Sequence, residues 1–255
     1  MAGRPVRMSG GRTHEGAKPE PSDRWIDEGR VGGSKPAAQK KHYSKKRGTG
    51  IEVPELAALV GAKRAATLQA RLTEAADAFS DERFGDARRL LTPIASEAPT
   101  SPAVRELLGL TQYRLGKWKE AVSELEAFVG LTSGSTEQHP VLADCYRALR
   151  RWKRVDEIWT ELRESSPSAE LVNEGRIVAA GALADQDRLR DAISLLERGW
   201  KPPKVPHEHH LRRAYALGAL YERAGDLPRA RITFAWVQSI DPGFADVSER
   251  MTALT

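Results

Sequence analysis

Apolar residues along this chain recur at the period of a helix. Leu56, Leu59 and Val60 stand at i, i+3 and i+4 behind Pro54, and a proline is tolerated in a first helical turn, where its missing N–H has no partner to lose. From Val53 onward, helix-length segments of this kind alternate with short punctuation by Gly, Pro, Ser and Asp. No stretch alternates apolar and polar residues as a half-buried strand requires. The pattern predicts an all-α protein. Composition points the same way: Ala (35), Arg (28) and Leu (25) dominate, against 22 for Ile and Val combined. Ala and straight-chain residues lose little rotamer entropy in a helix, whereas sheets draw on β-branched residues.

The helical segments repeat. The clearest unit runs from Leu211 to Phe244 and carries Leu217-Gly218, Tyr221, Gly225, Ala230, Phe234 and Pro242. With Leu211 as position 1, these fall at positions 7, 8, 11, 15, 20, 24 and 32. The same frame started at residues 68, 102, 136 and 173 meets comparable residues. The first has Phe84, Ala87, Leu91 and Pro99; the second has Leu108-Gly109, Gly116, Trp118, Ala121 and Leu125. The third has Ala143, Tyr146, Trp152, Val155, Trp159 and Pro167, and the fourth has Ala180, Leu189, Ala192 and Leu196. Small residues at positions 8 and 20 let two helices approach closely, and large ones at 17 and 24 fill the space between neighbours. Gly116 and Gly225 suit a helix end that reverses direction, and proline at position 32 stops the second helix.

This spacing resembles the tetratricopeptide repeat (TPR). The resemblance covers Leu68 to Phe244 and implies an α-solenoid of about five helix–turn–helix units. Asp246, Val247, Met251 and Leu254 then suit a capping helix over 246–255, and Lys201-Pro202-Pro203-Lys204-Val205-Pro206 reads as a stiff protruding insertion. The resemblance also implies a concave groove lined by the first helix of each unit, used to hold a protein or peptide segment. Groove positions map onto Glu106, Leu110, Tyr113, Arg114, Asp144, Arg147, Glu174, Ile177, Arg212, Tyr215 and Glu222. Some chaperone-binding TPR proteins clamp a terminal carboxylate with Lys and Asn. Here the equivalent positions hold residues such as Glu106, Leu110, Pro140 and Asp144, so no such clamp is expected.

Charge divides the chain near residue 50. Residues 1–50 hold 12 Lys/Arg against 5 Asp/Glu, while the remaining 205 residues hold 28 against 30. The tail carries nine of the 21 glycines and almost nothing aliphatic, a composition that predicts disorder ahead of a solenoid over 51–255. Its densest part, Lys40, Lys41, Tyr43, Lys45, Lys46 and Arg47, suits a sequence-independent grip on RNA or DNA. That makes an RNA- or ribosome-associated adaptor the rival to a protein-binding scaffold. A second basic run, Arg147, Arg150, Arg151, Lys153 and Arg154, reads first as a solvated turn paired with Asp156, Glu157 and Glu161.

Catalysis has no support in the residues. There is no phosphate-loop glycine pattern, no Gly-x-Ser-x-Gly and no His-Glu-x-x-His. A single cysteine, Cys145, excludes a disulfide framework, and its setting reads as a small buried hydrophobe. His207, Glu208, His209 and His210 lack a second cluster to complete a zinc site and read as a helix opening after Pro206. No cofactor, metal, membrane or small-molecule substrate is expected. With no apolar run behind the basic N-terminus, the expected compartment is the cytoplasm.

Overall fold

The structure, a computed structural model, describes residues 53–254. Among the described residues there are twelve helices and no strand. They are α1 (Glu55–Val60), α2 (Ala62–Ser80), α3 (Phe84–Glu97), α4 (Pro102–Arg114), α5 (Trp118–Leu131) and α6 (His139–Ala148). Then follow α7 (Trp152–Ser165), α8 (Ala169–Asp185), α9 (Leu189–Glu197), α10 (Glu208–Arg223), α11 (Leu227–Ile240) and α12 (Val247–Ala253). From α2 to α11 they form five antiparallel hairpins stacked side by side, each hairpin packing on the next. The fold is all-α, an α-solenoid of TPR-like units. The reading of residues 1–50 as a disordered basic tail falls outside the described residues.

The five hairpin turns share one backbone solution. Position 15 of the frame is Glu82, Gly116, Arg150, Asp187 or Gly225, and every one has a positive φ between 56° and 77°. The residue that follows donates its N–H to a carbonyl five residues back. These bonds are Arg83 to Ala78, Lys117 to Gln112, Arg151 to Tyr146, Arg188 to Leu183 and Asp226 to Tyr221, at 2.8–3.0 Å. This is the Schellman closure, which satisfies carbonyls that a helix end leaves bare. Only two of the five turns have the glycine that such a backbone favours, so the remaining three hold an L-residue in strained geometry.

Packing inside each hairpin rests on the small and large positions. Ala87, Ala121, Val155, Ala192 and Ala230, all at position 20, are 0% exposed. At position 8, Gly109 and Gly218 sit so close to the second helix that an added Cβ would lie 2.7 Å from Leu125 and 2.8 Å from Phe234. Gly175 in α8 is a third such position, where an added Cβ would collide with Leu162 of the preceding unit. No repeat mark flags it; a glycine inside a helix is its only sequence signal.

The core is a relay of overlapping clusters. Val53, Leu56, Leu72, Leu91, Leu107 and Leu110 form the first, and α1 packs on α2 to cover the open face of the first unit. Val122, Leu142, Tyr146 and Ile158 carry the stack through its middle, and Leu217, Leu220, Phe234, Phe244 and Val247 close it beneath α12. Each unit therefore buries its apolar face mainly on its sequence neighbours, the arrangement that makes a solenoid.

The fourth hairpin departs from the others. Its second helix, α9, has 9 residues where α3, α5, α7 and α11 have 14. The proline-rich segment takes up the missing length. Trp200 roots it, with its ring centroid 5.6 Å from that of Trp236, while Val205 stands 70% exposed at its tip.

Candidate protein-docking face

The first helices of successive units, α4, α6, α8 and α10, carry the residues that the repeat frame assigns to a groove. The structure joins most of them to one another or to residues one unit away. Gln138 donates to Glu106 at 2.7 Å, and the Tyr113 hydroxyl donates to Asp144 at 2.8 Å. Arg147 bridges Asp144 at 2.8 Å and Asp185 at 2.9 Å. Arg212 forms a two-pronged pair with Glu174 at 2.7 and 2.9 Å. Beyond it the Tyr215 hydroxyl meets Asp246, and Arg250 reaches both Asp246 (3.0 Å) and Glu222 (2.6 Å). The result is a polar ladder running from α4 to α12, each rung tying one unit to the next.

The ladder has consequences for charge. Burial works against the Arg147 cation, but Asp144 and Asp185 outweigh it and hold the guanidinium above its ordinary range. Arg250 behaves alike: burial opposes its charge, and contacts with Tyr215, Asp246 and Glu222 more than restore it. Bidentate and doubly bridged arginines of this sort favour a single geometry, because the planar guanidinium fork matches the carboxylate.

Exposure separates the candidates. Glu106, Leu110, Ile177 and Tyr215 are buried. Leu110 belongs to the first core cluster and Ile177 to the last. Tyr113, Arg114, Asp144, Arg147, Glu174, Arg212 and Glu222 are half-buried. Arg114 also lies over the Phe84 ring at 4.6 Å. The ladder partners Gln138, Asp185, Asp246 and Arg250 are absent from the frame-derived set. Their signal was available: each bond spans 28–38 residues, one unit along the repeat.

The basic run around the third turn splits. Arg147 is drawn into the ladder, and Arg154 pairs with Glu157 at 2.5 Å and Glu126 at 3.3 Å. Lys153 lies 3.7 Å from Glu157 with its side chain 91% exposed. Arg150 and Arg151 have no carboxylate within 4.0 Å among the described residues, and the partners expected for them lie elsewhere: Glu161 sits 3.2 Å from His139. Cys145 is buried, and burial followed by the nearby Asp144 pushes its thiol well above the ordinary range. No group of three or more His, Cys, Asp or Glu among the described residues is placed to hold a metal. The tail residues Lys40, Lys41, Tyr43, Lys45, Lys46 and Arg47 lie outside the described region.

Comparison with solved structures places this architecture. TTC0263, a thermophilic TPR protein of Thermus thermophilus, is similar over 73% of this chain and 98% of its own, with a TM-score of 0.56 and 19% identity. The fold is that of a TPR solenoid. The TPR domain of P58(IPK) matches over 75% of this chain and 58% of its own at 20% identity, with a TM-score of 0.40. No protein-family model matches the sequence, and no curated protein is significantly similar to it. No helix of the described TPR solenoid is long and apolar enough to cross a membrane.

Proposed function

We propose that this TPR solenoid is a non-enzymatic scaffold of the cytoplasm that docks a protein or peptide segment on the ladder face. The carrying observation is the strip of half-buried side chains of both charge signs on consecutive first helices: Tyr113, Arg114, Asp144, Arg147, Glu174, Arg212 and Glu222. A segment laid along this strip meets donors and acceptors at regular intervals, and the buried Leu110, Ile177 and Tyr215 fix the helices that present them. Glu106 holds Gln138 in the same supporting role. The test is paired affinity capture with the full chain and with Arg114→Glu and Glu222→Arg variants, whose folding is checked by circular dichroism. The proposal expects a partner that the folded variants lose. Partners retained by both variants would refute docking on this face.

A second reading has an observation of its own. The excess of 12 Lys/Arg over 5 Asp/Glu in residues 1–50, with Arg150 and Arg151 free of carboxylates on the solenoid, favours an adaptor that also holds RNA. Nuclease treatment during the same capture separates the two readings, because only RNA-borne partners depart with the nucleic acid.

A further inference from the structure

Away from the ladder, three arginines gather where α8, the end of α9 and the start of α10 meet. Arg213 is buried, 7% exposed, yet no carboxylate neutralises it. Its Nε and Nη2 donate to the Leu196 carbonyl at 2.9 and 2.6 Å, and Nη2 also reaches the Arg198 carbonyl at 2.7 Å. Its Nη1 donates to Asn173 Oδ1 at 3.2 Å. Arg176 sends Nη1 to that same Arg198 carbonyl at 2.9 Å. Two nitrogens that bond one oxygen at 2.7 and 2.9 Å lie no more than 5.6 Å apart. Arg198, at the end of α9, supplies the third cation on the solvent side.

Most other half-buried arginines of this chain find an acid. Arg105 has Glu124, Arg147 has Asp144 and Asp185, Arg212 has Glu174, and Arg250 has Asp246 and Glu222. Arg176, Arg198 and Arg213 have no carboxylate within 4.0 Å among the described residues. The carbonyls closing α9 contribute a partial charge of about half a unit, which leaves most of three formal cations uncompensated. The Nε of Arg176 is shielded from water and has no hydrogen-bond partner. Indole rings flank the group on both sides: Arg213 lies 5.4 Å from the Trp200 centroid and Arg176 5.9 Å from that of Trp159.

We propose that Arg176, Arg198 and Arg213 form a binding site for a phosphate group. A tetrahedral dianion offers several acceptor oxygens, and it would offset the cations that now face one another. Arg213, locked on the α9 carbonyls, sets the position; Arg176 and Arg198 supply the donors that remain open to solvent. Electrostatics agrees with this geometry. Burial, and then Arg176, pushes the Arg213 guanidinium down to about 10, and burial followed by Arg198 lowers that of Arg176. An anion in the site relieves both.

The site goes beyond the docking reading and its test is independent of it. Full-length protein at constant ionic strength is titrated calorimetrically with three probes: inorganic phosphate, N-acetyl-O-phosphoserine amide and N-acetylglycine. The first two distinguish free from esterified phosphate, and the third is a carboxylate control. Saturable binding of either phosphate probe is expected, weakened on the order of tenfold or more in Arg176→Gln and Arg198→Gln and unchanged in Arg190→Gln. Arg213 is kept intact because it holds the end of α9, and circular dichroism verifies that each variant folds. Absence of saturable phosphate binding, equal binding by the variants, or binding of N-acetylglycine alone would each overturn the proposal.

Discussion

Replacing one glycine by alanine should have opposite effects at two places in this solenoid. In a helix interior the change contributes up to about 1 kcal/mol in favour of the folded state, because alanine loses less backbone freedom. At Gly130 in α5 nothing lies within 4 Å of the added methyl, so that gain stands, at about 0.5–1 kcal/mol. At Gly218 in α10 the methyl would sit 2.8, 2.9 and 3.0 Å from three atoms of the Phe234 ring. That ring is 0% exposed, with the Tyr215 ring 5.7 Å away on one side and the Arg250 guanidinium 5.5 Å away on another. Overpacking of such a site costs roughly 1–3 kcal/mol, and the ring has no room to yield, so the upper half of that range applies. Net destabilisation by Gly218→Ala is then about 1–2 kcal/mol. For a domain of this size a kilocalorie moves Tm by roughly 2–4 °C. Thermal melts followed by far-UV circular dichroism should show Gly218→Ala falling by about 2–8 °C and Gly130→Ala rising by about 1–4 °C. Urea titrations with unchanged slope would assign both to stability. A Gly218→Ala protein that melts at or above the parent temperature refutes the close-approach argument.

Two further outcomes follow from the turns and the buried imidazole. Arg150→Gly removes an L-residue from a backbone at φ 56° and should raise stability by about 0.5–1 kcal/mol; a lower Tm would show that the Arg150 side chain contributes more than its backbone costs. His139 is buried, with Nε2 3.2 Å from Glu161 and no partner for Nδ1. Burial lowers its folded-state affinity for a proton below the ordinary 6.5, and Glu161 offsets this only in part. The unfolded chain therefore binds the proton more readily. Stability is full above pH ~6.5 and declines as pH falls through that value toward the depressed one. His139→Gln should flatten the decline between about pH 7 and 5 without abolishing it, since burial lowers His210 in the same direction. An unaltered pH slope in the variant would contradict the assignment.

The parts of this architecture legible in the sequence are those that each unit decides locally. Ala121 and Ala230 announce a close helix contact because nothing larger fits, and Phe234 and Trp159 announce the gap they fill. The turns were half legible. Gly116 and Gly225 mark theirs by residue type, but Glu82, Arg150 and Asp187 adopt the same left-handed backbone without it. There the Schellman hydrogen bond and the packing of two helices outweigh a local preference of about a kilocalorie. The candidates on the first helices were legible one by one and not as a network. Arg147 stands in the repeat frame by its position alone, yet its partner Asp185 lies 38 residues onward, set by how unit packs on unit. The Arg176–Arg198–Arg213 group was invisible for a related reason. Arginines in a helical sequence read as solvated until the fold shows which have no acid within reach.

Cys145 gives the stack a clock. It is the chain's one thiol, it sits in α6 of the middle unit at 0% exposure, and its proton is held tightly. A thiol reagent can reach it only when α6 separates from its neighbours, so with reagent fast enough to outpace reclosing the rate of modification counts those openings. End units that fray leave the count untouched, and the timing of a single covalent event reports how often the centre of the molecule comes apart.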